Sequence, residues 1–292
     1  MDRPDDAASQ GGAARLPAAA VRAARAAFRA AGVEAGERAV PEETAVSLTY
    51  NGGSHAVMMA TPQDLEDFAI GFSLHEGVVG DLAEIERLEI IPESLGVEVR
   101  MWLNDARAAR LSERRRHIAG PTGCGLCGID SLDEAMRAPA AVSAPDLRLG
   151  AGDVMAALAA IGPHQHLGRE TRAVHAAGFW SPVAGLVALR EDVGRHNALD
   201  KLGGALARGG VDVRSEAGAG IVVLTSRVSV EMVQKTAAIG APVIVAVSAP
   251  TALAIRTAEA AGITLIGIAR DDGFEVFTHA QRIEKGCISD VA

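Results

Sequence analysis

Two cysteines carry the first chemical signal in this 292-residue chain. Cys124 and Cys127 are spaced Cys-x-x-Cys inside the glycine-rich stretch GPTGCGLCG, residues 120–128. The same stretch reads Gly123-x-Gly125-x-x-Gly128, the spacing of a dinucleotide-binding turn. Such a turn must follow a buried strand and open a helix, so that backbone amides face a pyrophosphate. Here "ERRRHIAGPT" precedes and "IDSLDEAMRAPA" follows, so the strand–turn–helix setting is missing and the thiols remain. A structural zinc site needs about four protein ligands. One cysteine pair supplies half, although His117, His164, His166 or His175 could complete a mixed site. Zinc-dependent base deamination pairs Cys-x-x-Cys with His-x-Glu, and no His-x-Glu occurs. A thioredoxin-like pair should open a helix after a strand, whereas Pro121 and three glycines predict a mobile loop over residues 113–130. An accessible thiol beside Arg110, Arg114, Arg115 and Arg116 suits a sulfur carrier. The thiolate is the nucleophile, positive charge favours it, and persulfidation is reversible.

The elements that must position these thiols divide at the loop. Before it, "TAVSLTYNGGSHAVMMATP" places two apolar runs around Asn51-Gly52-Gly53, a hairpin signal. Thr61 and Pro62 read as the cap and first turn of a helix through "QDLEDFAIGFSLHEG", and residues 85–103 read as a second strand pair. Beyond the loop, "RAVHAAGFW" and "AGLVALRED" read as strands, then "GRHNALDKLGGALARGG" as a helix. Three apolar strands follow, "GIVVLTS", "APVIVAVSA" and "ITLIGIA", separated by helical patterns. Continuous apolar strands alternating with helices predict an α/β core whose mixed, largely parallel sheet is covered on both faces. The expected divisions are a loosely ordered extension (1–40), a smaller hairpin-based α+β part (41–112), the cysteine loop (113–130), the α/β core (131–285) and a tail (286–292). Arg22, Arg25 and Arg29 fall at helical spacing within that extension.

In open α/β sheets ligands sit beyond the carboxyl ends of the strands. Those ends carry Thr225, Ser226 and Arg227, then Ser248 with Thr251, then Arg270. Hydroxyls and guanidinium groups at helix N-termini suit an anion such as a nucleotide phosphate. The segment "REDVGRHNALDK" is denser in polar groups than a helix start requires, and a solvated face does not explain His196 or Asn197.

The net charge of −9 argues against general nucleic-acid affinity. Three cysteines, Cys287 among them, make no disulfide framework. No signal peptide is apparent, and the apolar run at residues 239–255 is interrupted by Gly240, Pro242 and Pro250. A cytoplasmic protein without a membrane or nucleic-acid partner is expected.

Taken together, "TGCGLCG", "REDVGRHNALDK", "SRVSVEMVQKTA", "TPQDLEDFAIGFSLHEG" and "FTHAQR" closely resemble the formate dehydrogenase accessory sulfurtransferases, the FdhD family, from about residue 40 to residue 285. The resemblance implies a cytidine-deaminase-like three-layer core without deaminase chemistry. It also implies sulfur transfer from a cysteine desulfurase to the molybdenum or tungsten bis(molybdopterin guanine dinucleotide) cofactor of formate dehydrogenase. Cys124 matches the persulfide-bearing residue and Cys127 its companion. The cofactor-contacting loop falls on Ile268, Ala269, Arg270, Asp271, Asp272 and Gly273, with Ser226, Arg227, Ser248, His175 and His196 as further cofactor contacts. The cofactor is cargo, no resident metal is expected, and the expected assembly is a homodimer. The alternative is a chaperone that binds the same cofactor without moving sulfur. Two departures from the family pattern stand out: acidic Asp271-Asp272 where basic residues are common, and Thr171-Arg172 in place of the Thr-Gly that precedes the family histidine.

Overall fold

The computed structural model describes residues 15–117, 138–144, 146–213 and 220–284. Residues 118–130 of the expected cysteine loop and all three cysteines lie outside the described residues, whereas residues 113–117, expected in that loop, belong to a helix. A two-stranded hairpin, β1 (Ala20–Arg29) and β2 (Gly32–Pro41), comes first. The first compact unit follows, with β3 (Thr44–Tyr50), β4 (Gly53–Ala60), helix α1 (Leu65–His75), β5 (Ile85–Glu93), β6 (Gly96–Leu103) and α2 (Asp105–His117). The second unit contains β7 (Leu149–Gly150), α3 (Ala151–Ile161), α4 (His166–Thr171), β8 (His175–Ser181), β9 (Gly185–Asp192) and α5 (Arg195–Arg208). It continues through β10 (Ile221–Leu224), α6 (Val230–Ile239), β11 (Val243–Ala246), α7 (Ala252–Ala261), β12 (Thr264–Arg270), β13 (Gly273–Val276) and β14 (Ile283–Glu284).

The main sheet runs β13-β12-β11-β10-β8-β9. It is mixed rather than largely parallel: β10–β11 and β11–β12 pair in parallel, while the β8–β9 hairpin and β13 add antiparallel edges. Along β10, Val222 and Leu224 face α5, α6 and α7, whereas Ile221 and Val223 face α3. The period-2 alternation of a strand therefore buries both faces, and this is why the strands read as unbroken apolar runs.

In the first unit, α1 covers the four-stranded sheet β4-β3-β6-β5, and Leu48, Tyr50, Phe68, Val99 and Met101 fill the space between. The Asn51-Gly52 turn forms as expected, both residues taking positive φ. Helix α1 begins at Leu65, later than the sequence suggests, and Thr61 does not cap it. Instead the Thr61 amide donates to Asp192 Oδ2 (3.0 Å) and its hydroxyl accepts from the Val193 amide (3.1 Å). The two units meet where α1 crosses α5. A Cβ on Gly71 would lie 1.7 Å from the Asp200 carbonyl oxygen, and one on Gly204 would lie 1.9 Å from that of Asp67. Glycine at both positions lets the two backbones touch.

The hairpin Ala20–Pro41 departs from the expected loosely ordered extension. Arg22, Arg25 and Arg29 sit on a strand, paired residue by residue with β2 from Ala20–Pro41 to Arg29–Gly32.

Candidate functional site

The polar segment that opens α5 separates into a lock and a remainder. Fully buried Asp192 and Lys201 form an ion pair of 2.6 Å. Asp192 Oδ1 also accepts from the Gly194 amide (2.8 Å) and from Asn197 Nδ2 (3.0 Å). Lys201 Nζ donates to the Thr61 carbonyl (2.9 Å), and Asn197 Nδ2 donates to that of Met59 (2.8 Å). One turn on, Asp200 accepts from Lys235 Nζ (2.8 Å) and lies 2.6 Å from His75 Nδ1. Burial works against the Asp200 anion, but Lys235 and His75 outweigh it and hold the carboxyl below its ordinary range. Glu191 accepts from the amides of Leu167 and Gly168 (2.9 and 2.7 Å) and so caps α4. These groups bind the two units together. His75, Asp67 and Lys235 were not singled out in the sequence, because their partners lie far away along the chain.

Arg195 and His196 are left over. Arg195 Nε and His196 Nε2 are buried and make no hydrogen bond of ordinary geometry, while the buried Ser229 hydroxyl favours the Glu231 anion beside it. Nearly all buried polar atoms in native proteins are paired, so two adjacent groups without partners mark a place built to receive something polar. His196 Nε2 lies 4.0 Å from Glu231 Oε2, beyond hydrogen-bond reach. Ser229 is the N-cap residue of α6, yet its side chain makes no cap bond; at α7 the equivalent Thr251 hydroxyl accepts from the Ala254 amide (3.2 Å). Burial, then the charges of Arg195 and Lys235, pushes the His196 imidazole below its ordinary value against the pull of Glu231 and Asp200. Burial and Arg195 do the same to His175, opposed by Asp192. Arg195 thus faces both histidines, and both favour the neutral form.

The sheet topology collects the remaining expected residues on this edge. His175 opens β8 opposite Asp192, and Ala176 binds Thr225 at the end of β10 through its amide (2.8 Å). Ser226 and exposed Arg227 follow β10, Ser248 follows β11, and residues 268–273 end β12 and turn into β13. The Ser226 hydroxyl donates to the Arg227 carbonyl (3.0 Å), so it is partly engaged. Ala269 is fully buried in the core over α3, which gives its side chain a packing role. Arg270, Asp271 and Asp272 are exposed. Ile268 takes φ 51° at a register break in β12, and its amide donates to the Ser248 carbonyl (3.2 Å). A β-branched residue in left-handed backbone is a true outlier, of the kind that gathers at functional sites. Arg195, Ser229 and Glu231 join the site although the sequence reading did not propose them; their signal was adjacency to His196 and to the end of β10. Of the histidines considered for a mixed metal site, His164 and His166 lie on the α3–α4 segment, and among the described residues no three His, Cys, Asp or Glu side chains cluster to hold an ion.

The sequence profile of the FdhD/NarQ family matches residues 41–284. The chain belongs to the FdhD/NarQ family. It is 54% identical over 262 residues to the sulfur carrier protein FdhD of Agrobacterium fabrum, covering 90% of this chain and 95% of that one. It is 52% identical over 246 residues to the protein of the same name from Cupriavidus necator, covering 84% and 83%. The structure superposes with a TM-score of 0.69 on a chain from Desulfotalea psychrophila described as a formate dehydrogenase accessory protein, at 26% identity and covering 91% and 99%. FdhD-type relatives and this neighbour together support a sulfur-carrier role connected with formate dehydrogenase. The family setting also gives a physical reading of one departure. Arg172 ends α4 with φ 57°, the left-handed conformation that glycine adopts at least cost. No described helix is long and apolar enough to cross a membrane.

Proposed function

We propose that this FdhD-family chain is a sulfurtransferase that carries sulfur as a persulfide on Cys124 and delivers it to a bis(molybdopterin guanine dinucleotide) cofactor docked on the sheet edge. The observation that carries the cofactor half is the convergence of Arg195 Nε and His196 Nε2, both without a hydrogen bond, beyond the ends of β9 and β10. The edge from β9 to β12 crosses four strand spacings, about 19 Å, a length suited to an extended dinucleotide rather than one phosphate. Arg195 supplies a charge-assisted donor to phosphate oxygens. His175, Ser226, Arg227, Ser248 and residues 268–273 extend that surface.

The sulfur half rests on Cys124 and Cys127 and on the sulfur-carrier relatives. The Cys124 thiolate attacks the terminal sulfur of a cysteine desulfurase persulfide, and the donor cysteine leaves as thiolate. Cys127 then attacks the inner sulfur of the Cys124 persulfide. Hydrosulfide departs toward the cargo metal, the two electrons come from the thiols, and a Cys124–Cys127 disulfide remains for a cellular thiol to reduce. In this reading the layered sheet is of cytidine-deaminase type, the chain works as a homodimer in the cytoplasm, and formate dehydrogenase receives the product.

Two measurements test the two halves. Incubation with a desulfurase and cysteine should add reductant-labile sulfur to the wild-type mass and none to Cys124→Ala, with GDP binding intact in both. Arg195→Gln should weaken GDP binding about tenfold while leaving sulfur loading unchanged. A fully active formate dehydrogenase matured by Cys124→Ala would remove the sulfurtransferase and leave a cofactor chaperone.

A further inference from the structure

The β1–β2 hairpin lies before the region matched by the family profile, apart from its last residue, Pro41. Among the described residues its sheet contains only these two strands, and neither outer edge has a strand partner. An isolated hairpin is marginal in water unless something covers it. It is tethered to the body where Arg38 Nη2 donates to the Thr171 carbonyl (2.9 Å) at the end of α4. Between hairpin and α4 lies an open cleft walled by Arg22, Arg25, Arg29 and Arg38, with Glu37 and Glu170 at its margin. Arg25 Nη1 is buried there and has no hydrogen-bond partner. At the tip, Phe28 and Val33 face each other across the strands and are 82% and 64% exposed.

These features differ in sign from the rest of the molecule. The chain carries a net charge of −9, yet residues 20–41 hold four arginines against two glutamates. Guanidinium groups bind carboxylates in planar, two-pronged pairs. Free strand edges recruit extended segments, and an exposed aromatic–aliphatic pair accepts an apolar side chain. We infer that the hairpin is a docking arm for an acidic, extended segment of a partner protein, whose carboxylates occupy the arginine cleft and satisfy Arg25 Nη1. Charge complementarity selects such a partner, because the arginine excess of the hairpin favours carboxylates, and a small anion leaves the strand edges and the Phe28–Val33 pair uncovered. The inference is independent of the sulfur chemistry.

The test uses the full chain and a fluorescein-labelled decaglutamate peptide, followed by anisotropy. Binding is expected, weakening about tenfold or more as salt screens the contact. Arg25→Gln with Arg29→Gln should reduce affinity at least about tenfold, the loss of charge-assisted hydrogen bonds, with the thermal midpoint unchanged. Glu37→Gln should tighten binding. Equal binding by the arginine variant overturns the proposal, as does a Glu37→Gln variant that binds no better. Displacement of the peptide by an equal concentration of inorganic pyrophosphate overturns it in favour of a small-anion site. A dimer in sedimentation that dissociates in the arginine variant overturns it in favour of a second copy.

Discussion

Replacing Lys201 by Met tests whether the start of α5 is locked as described. The Lys201 and Asp192 side chains are fully buried, 2.6 Å apart, and burial pushes the lysine below its ordinary value even though Asp192 opposes this. Desolvation therefore takes back much of the attraction, as expected for buried ion pairs. Removing only the lysine is different, because the carboxylate then stays behind uncompensated, at a cost of about 3–5 kcal/mol. Asp192 keeps three donors, the amides of Thr61 and Gly194 and the side chain of Asn197, which places the loss near the lower bound. A loss of about 3 kcal/mol is a large share of a typical stability of about 5–15 kcal/mol. Urea denaturation followed by circular dichroism would measure it. Adding Asp192→Asn should restore part of the loss, since a neutral amide needs no counter-charge. A deficit below about 1 kcal/mol, or no recovery on adding Asp192→Asn, would refute the reasoning.

Three further outcomes follow from the same geometry. Gly204→Ala drives a Cβ to within 1.9 Å of the Asp67 carbonyl, so α1 and α5 must part, and a destabilisation of about 3 kcal/mol or more is expected by urea titration. Arg172→Gly should stabilise the protein by about 1 kcal/mol by removing a side chain from left-handed backbone; any loss of stability would show that the arginine side chain is needed. His175 and His196 are held below their unfolded value of about 6.5. The ligand-free protein should therefore lose stability as pH drops through that value, while GDP, by favouring the protonated rings, should bind tighter over the same window with proton uptake measurable by calorimetry in two buffers.

Legibility from the sequence followed the range of the interactions. The β10, β11 and β12 strands were readable because burial on both faces leaves a local apolar run, and the Asn51-Gly52 turn because positive φ selects those residue types. The β1–β2 hairpin was not readable. Alanines with arginines at 22, 25 and 29 imitate a helix face, and what overrides them is pairing with residues up to 21 positions away, Ala20 with Pro41. The predominance of antiparallel over parallel pairing in the mixed sheet was hidden for a similar reason, since β8 and β13 look locally like any other strand. Within the candidate site, the polar density of residues 190–201 was visible but its division was not. Asp192, Asn197, Asp200 and Lys201 are taken up by Met59, Thr61 and His75, more than 120 positions earlier.

That division has a consequence for how the site is held. Helix α5 joins the two units along one side and presents Arg195 and His196 from its first turn, so the lock also fixes the orphaned donors in place. A group left unpaired in the free protein can stay aimed only if its backbone cannot relax toward water. The backbone carries the same imprint. Among the described residues five non-glycine residues take positive φ, and Asn51, Asp64 and His279 are of types that tolerate it. The two that do not are Ile268, which ends β12 beside Ser248, and Arg172, three residues before His175. Both border the edge where Arg195 Nε and His196 Nε2 make no hydrogen bond. Unfavourable backbone and unsatisfied polar atoms thus share one edge, while the buried ion pairs that stabilise the molecule lie in the interface behind it. Strain persists only where the surroundings over-determine it, and the bond from the Ile268 amide to the Ser248 carbonyl is part of that constraint. In the proposed function this edge would receive the cargo, and the lock behind α5 would keep Arg195 and His196 aimed at it.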